Sequence, residues 1–171
     1  TIFQDSRGYM WFGTYDGLSR YDGYQFVNFK NDPANDQSIS NNIVVSIIED
    51  HQGYLWVGTA HNGLNRFDPK TGIFERFLSK NDDFDSLSNS QVNIIYQDDQ
   101  QRIWIGTDRG LNLYLPEKKA FAHFYNNPLD TNSLPPGSIV DIVGDSRGNL
   151  WVATNEVLAH FDVEQQVFHY Y

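Results

Sequence analysis

His61 and Arg109 are the side chains best placed for chemistry with a ligand. Both are nitrogen donors in short polar inserts, and both suit the oxygens of a polyhydroxylated or anionic molecule. They belong to a set of four inserts, each directly following a threonine: Tyr15-Asp16, Ala60-His61-Asn62, Asp108-Arg109 and Asn155-Glu156. Tyr15 adds a ring face on which a sugar can stack. The plainer alternative makes all of these solvated turn residues. Catalysis has less to stand on. The five histidines (His51, His61, His123, His160, His169) are scattered, with no His-x-x-x-His pair and no serine nucleophile elbow. Asp82, Asp83 and Asp85 crowd one polar stretch, where a solvated tip is the simpler reading than a metal site. No cofactor is implied.

What positions the inserts is a repeat. Trp11, Trp56, Trp104 and Trp151 stand 45, 48 and 47 residues apart, and each follows an aspartate by six positions (Asp5, Asp50, Asp98, Asp145). Each is followed by an apolar residue, a Gly or Ala, and then Thr14, Thr59, Thr107 or Thr154. A period in the forties signals a solenoid, a propeller or an array. Each copy reads as four short strands. In the second, Ile43–Glu49 is a nearly continuous apolar run, as expected of a strand buried on both faces. Asp50-His51-Gln52-Gly53 is a tight turn in which Asp bonds amides ahead of it. Asn62-Gly63 joins the next two strands as a hairpin, and Ile73–Leu78 alternates as an outer strand. Helical spacing is absent.

These signals predict an all-β chain: a β-propeller fragment of about four four-stranded antiparallel blades, with repeats at about 1–29, 43–78, 92–125 and 139–171. The four tryptophans are then expected to wedge between neighbouring blades as structural residues. Because successive strands reverse direction, the Asp50–Gly53 and Asp68–Gly72 turns share one end. The four inserts share the other with the polar loops 30–42, 79–91 and 126–138. A repeated framework with differing inserts is the pattern of a recognition surface. Inner-strand acids such as Glu49 and Asp141 are candidates to line a central channel, Glu49 alternatively to cap the adjacent turn. The copies carry defects. Gln101 stands where Gly8, Gly53 and Gly148 do, Ala153 replaces a Gly, and Val157 stands at the position of Gly17, Gly63 and Gly110.

Composition narrows the partners. A net charge of −10 with no basic cluster makes nucleic acid a poor partner. The chain has no cysteine, which excludes disulfides and thiolate metal sites. No apolar run approaches the roughly 18–20 residues of a membrane helix, so this chain is not expected to insert directly. It opens on Thr1-Ile2-Phe3, already inside the first repeat, as expected of a fragment of a longer protein. Four blades leave two open blade faces and strand edges, which are expected to drive self-association.

The string Asp-x-x-Gly-x-Leu-Trp-φ-Gly-Thr-x-x-Gly-Leu-x-Arg-Phe-Asp, followed by Ser-Leu-Ser before the next copy, resembles the two-component regulator propeller repeat. The resemblance covers essentially the whole chain. It implies a periplasmic, ligand-sensing region of a membrane-bound bacterial signalling protein whose output is a histidine kinase, a hybrid two-component system or a GGDEF diguanylate cyclase. The site residues read from the inserts are Tyr15, Asp16, His61, Asn62, Asp108, Arg109, Asn155 and Glu156, for a small molecule or an oligosaccharide. The alternatives are a propeller lyase or hydrolase with its site in the loop face, since streptogramin lyases carry superficially similar repeats, and a pure dimerisation scaffold.

Overall fold

The computed structural model describes residues 1–171, and its regular elements are strands throughout. Blade one comprises β1 (Ile2–Gln4), β2 (Met10–Thr14), β3 (Gly17–Tyr21) and β4 (Phe26–Phe29). Blade two comprises β5 (Val44–Glu49), β6 (Leu55–Thr59), β7 (Leu64–Asp68) and β8 (Ile73–Phe77). Blade three comprises β9 (Val92–Gln97), β10 (Ile103–Thr107), β11 (Gly110–Leu115) and β12 (Ala120–Phe124). Blade four comprises β13 (Ile139–Gly144), β14 (Leu150–Thr154), β15 (Leu158–Asp162) and β16 (Val167–Tyr170). Each blade is an antiparallel sheet whose strands pair in chain order. The first strands β5, β9 and β13 lie beside one another on the inner side, so the blades radiate outward. This is the β-propeller arrangement that the repeat predicts.

The spacing of Asp and Trp by six has a direct physical cause. Asp50 Oδ1 accepts from the amides of Gln52 (2.9 Å) and Tyr54 (3.0 Å), which closes the turn. Its Oδ2 accepts from the Trp56 indole at 2.7 Å. Asp5 and Asp98 hold Trp11 and Trp104 in the same way, both at 2.8 Å. One carboxylate thus shapes the turn and aims a ring. Gln101 meets the turn's demand for a left-handed residue at φ 65°, where the other copies use glycine.

Each aimed ring enters the core of the following blade. Trp11 packs with Ile47, Leu55, Val57 and Phe67, Trp56 with Ile95, Ile103 and Tyr114, and Trp104 with Ile142, Leu150 and Phe161. The glycine after each ring permits this approach. A Cβ at Gly13, Gly58 or Gly106 would come within 2.5, 2.6 and 2.5 Å of Val44, Val92 and Ile139 of the next blade.

Trp151 departs from the expectation that all four rings wedge between blades. It is half-exposed on the open face of blade four, against His160 (4.9 Å) and Tyr171 (5.3 Å). Asp145 Oδ2 accepts instead from His160 Nε2 at 2.9 Å. No blade covers this side within the chain, and the glycine of the other copies is here Ala153.

A buried polar network anchors the loops in blades two and three. Asn65 Oδ1 accepts from Ser40 N (2.8 Å), and Asn112 Oδ1 from Ser88 N (2.9 Å), with both asparagines fully buried. Blade four has Pro135 and Ala159 at these positions. Proline has no N–H to donate, so a buried asparagine there would lose its partner. In blade four the donor and the acceptor are both absent, so neither is left unpaired.

Candidate functional site

The strand order puts the four inserts and the inter-blade loops at one end of the array. His61 and Arg109, on inserts of successive blades, flank a single groove of about 690 Å³ at the junction of blades two and three. That is the size of a small-ligand site (about 300–1,000 Å³). Its floor and walls come from loop 79–91, including Ser79, Leu87, Ser88 and Ser90, with His123 on the outer strand and Tyr125 just past its end. Phe84 stands 90% exposed on the loop tip and Tyr125 is 49% exposed, so both offer ring faces to solvent. Burial of part of the Tyr125 ring raises its phenol above the ordinary value. Neither the His61 ring nor the Arg109 guanidinium bonds a protein group, so both keep their donors for solvent or ligand.

The other candidates distribute along three successive seams. Tyr15, 87% exposed, shares a groove with His61 at the junction of blades one and two, and does not meet Arg109. Asn155 and Glu156 share a groove of about 430 Å³ with Asp108 and Arg109 at the junction of blades three and four. Four of the eight are engaged in holding the fold. Asp16 pairs with Lys30, Asn62 Nδ2 donates to Ser40 O (3.0 Å), Asp108 Oδ1 accepts from Asn93 (2.9 Å), and Asn155 Oδ1 accepts from Ser138 N (2.8 Å). His61 and Arg109 are the two nitrogen donors among the four that remain free, and they share one cavity, with Tyr15 and Glu156 in the grooves on either side. The contribution of Phe84, Tyr125 and the loop serines is the part that residue types alone did not single out. Its signal is the loop composition, polar throughout apart from Phe84 and Leu87.

The junctions are locked by outer-strand donors that differ in type and agree in task. Arg76 Nε donates to Ser38 O (2.8 Å), His123 Nε2 to Ser86 O (2.7 Å) and the Tyr170 hydroxyl to Ser133 O (2.8 Å). His123 is thus committed to structure. Glu75 ties blade two to blade three by accepting from Arg66 and Lys119, each at 2.6 Å. Burial pushes its carboxyl up, and the two cations outweigh this and hold it below its ordinary range. Glu49 does not cap its own turn. Its carboxylate accepts from Ser6 N (2.6 Å) and Ser6 Oγ (2.9 Å), so it caps the turn of the preceding blade. The one close His–Asp pair, His160 with Asp145, sits at the opposite end, in the first turn of blade four.

The two-component regulator propeller model matches residues 1–16, 38–61, 86–109 and 133–156, and the chain belongs to this family. Among curated proteins, the chain is 37% identical over 62 residues to histidine kinase P4 of Formosa agariphila, an alignment covering 36% of this chain and 4% of that protein. Among solved structures, it superposes with a TM-score of 0.73 and 22% identity on the extracellular domain of a B. thetaiotaomicron protein described as a hybrid two component system, covering 98% of this chain and 29% of that one. It also matches virginiamycin B lyase of Staphylococcus aureus, with a TM-score of 0.72, 13% identity, and 99% and 54% coverage. Both likenesses establish the fold. The chain spans a small part of the curated relative and under a third to about half of these solved chains.

Proposed function

We propose that this chain is the ligand-binding propeller region of a signalling protein, held outside the cytoplasm and coupled to a histidine kinase or a similar output in its parent. The carrying observation is the shared groove between His61 and Arg109, two free donors presented by equivalent inserts of successive blades. The family match and the kinase relative support the signalling context. The ligand is a small polyhydroxylated or anionic molecule, including short oligosaccharides. The covalent-hydrolase reading is weaker, because no serine hydroxyl in the groove is hydrogen-bonded to a histidine and His123 is occupied by Ser86 O. The test is calorimetry against a panel of neutral and acidic oligosaccharides, with turnover followed in parallel. A binder should lose about tenfold affinity in His61→Ala and in Arg109→Ala, as one charge-assisted bond predicts. Product formation, or binding indifferent to both substitutions, would sink the proposal.

Self-association belongs to the same proposal. Blade four leaves Val143, Trp151, Leu158 and Tyr171 open, and blade one leaves Ile2 and Phe26 open on its opposite face. The occupant is a second copy, because these faces continue the interface repeated at the three internal junctions. Trp151→Asp and Phe26→Asp should each give monomers in light scattering, and their equimolar mixture should give dimers. Dimers of either variant alone would refute head-to-tail pairing, and so would a monomeric parent chain.

A further inference from the structure

The groove between blades two and three differs from its neighbours in one specific way. At the first junction, Asn31 Nδ2 donates to the carbonyls of Ile39 (2.8 Å) and Ser40 (3.2 Å), and Asn62 Nδ2 also donates to Ser40 O (3.0 Å). At the third junction, Asn126 Nδ2 donates to Leu134 O at 2.8 Å. Both asparagines stand seven residues before the loop serine, Ser38 or Ser133. Seven residues before Ser86 stands Ser79, whose side chain is too short for the task. Asn42 of the first junction is likewise replaced by Ser90. As a result, the carbonyls of Leu87 and Ser88, the counterparts of Ile39 and Ser40, accept no protein hydrogen bond. Both residues line the groove, Ser88 partly exposed and Leu87 only 1% exposed beneath it.

At the first junction a single nitrogen bearing two hydrogens spans both carbonyls. The ligand group that reproduces this contact is a primary nitrogen. A hydroxyl has one hydrogen and serves one carbonyl at a time. A protonated amine adds charge assistance, which makes its bonds roughly twice as strong as neutral ones. The lining carries Asp82 and Asp83 against Lys80 and Arg109, so an entering cation meets no net positive charge. The chain as a whole carries −10. Phe84 and Tyr125 stand beside the floor and suit the apolar face of a sugar ring.

We infer that this groove is a site for a saccharide bearing a primary amino group. The ammonium sits on Leu87 O and Ser88 O, and ring oxygens accept from His61 and Arg109. This rests on the ligand-binding reading above and adds the ligand's chemical class. The test compares two disaccharides of the same ring and linkage, the β-1,4 dimer of glucosamine and cellobiose, by calorimetry in mildly acidic buffer that keeps the amine protonated. The glucosamine dimer should bind about tenfold tighter or more. Ser79→Asn restores the asparagine of the other junctions and fills the floor from within. It should lower affinity for the glucosamine dimer at least tenfold while leaving thermal stability equal or higher, and Ser79→Ala should retain binding. Unchanged binding in Ser79→Asn overturns the inference. Equal affinity for the two dimers, with both weakened in Arg109→Ala, removes the amine assignment and leaves the groove as a ligand site. No binding of either dimer removes the inference outright, and the wider oligosaccharide panel then judges the ligand-binding reading on its own.

Discussion

Trp104 and Trp151 occupy the same position of the same repeat and live in different worlds. Trp104 is fully buried, with its indole N–H on Asp98 Oδ2 at 2.8 Å and its ring against Phe161 at 5.9 Å. Trp151 is half-exposed, and its aspartate is taken by His160. The local sequences share the Asp, the Trp and an apolar residue before the ring, Asp-Ser-Arg-Gly-Asn-Leu-Trp in blade four against Asp-Asp-Gln-Gln-Arg-Ile-Trp in blade three. The difference comes from what lies across from each ring. Blade four packs against Trp104, and nothing in this chain packs against Trp151. Two residues beside Trp151 also differ: Ala153 stands where the other copies have glycine, and His160 stands where blades one and two have Arg20 and Arg66.

If the contrast is one of covering, the two rings must differ most in energy. Trp104→Ala should cost about 3–5 kcal/mol in denaturant unfolding, and Trp151→Ala about 1 kcal/mol or less under conditions that keep the chain monomeric. Equal losses would mean that the fourth blade does not depend on its neighbours in this way. The glycine comparison is next in size. Gly106→Ala places a methyl 2.5 Å from Ile139 and should cost about 1–3 kcal/mol, whereas Ala153→Gly should cost less than about 1 kcal/mol through backbone entropy alone. Thermal melts of the pair decide it.

The polar network gives a comparison of similar kind. Asn112→Ala leaves the amide of Ser88 without its acceptor and should cost about 1–3 kcal/mol, read from chemical denaturation. Blade four, with Ala159 and Pro135, already lacks this bond, and Ala159→Asn should bring no gain because Pro135 has no N–H to offer.

The smallest expected effect is electrostatic. The hydrogen bond from His160, with backbone amides of Asn149 and Arg147 behind it, lowers the Asp145 carboxyl from 3.8 to about 2. Because the folded value lies below the unfolded one, this contribution is complete above about pH 4 and is lost as pH falls through about 2. Denaturation at a series of acidic pH values should show that loss, and His160→Ala should shrink it. The same profile in both proteins would remove the pairing from the account of blade four.

Much of this molecule was written in its residue spacing. The period of 45 to 48 and the Asp-to-Trp interval of six define the blades, because each blade is a local meander whose turns and hairpins form between neighbours in the chain. The end of the array that carries the inserts follows from strand alternation alone. Which inserts meet does not. That His61 faces Arg109 across a groove, while Tyr15 lies one seam away and Asn62 turns inward to Ser40 O, depends on how blades pack side by side, with contacts between residues tens of positions apart. Likewise, the sequence marks Ser79 as an exception to Asn31 and Asn126, but only the packed junction shows the two carbonyls that the missing amide leaves without a protein donor. Local chemistry sets the unit, and the burial of one unit against the next decides what each copy of it does.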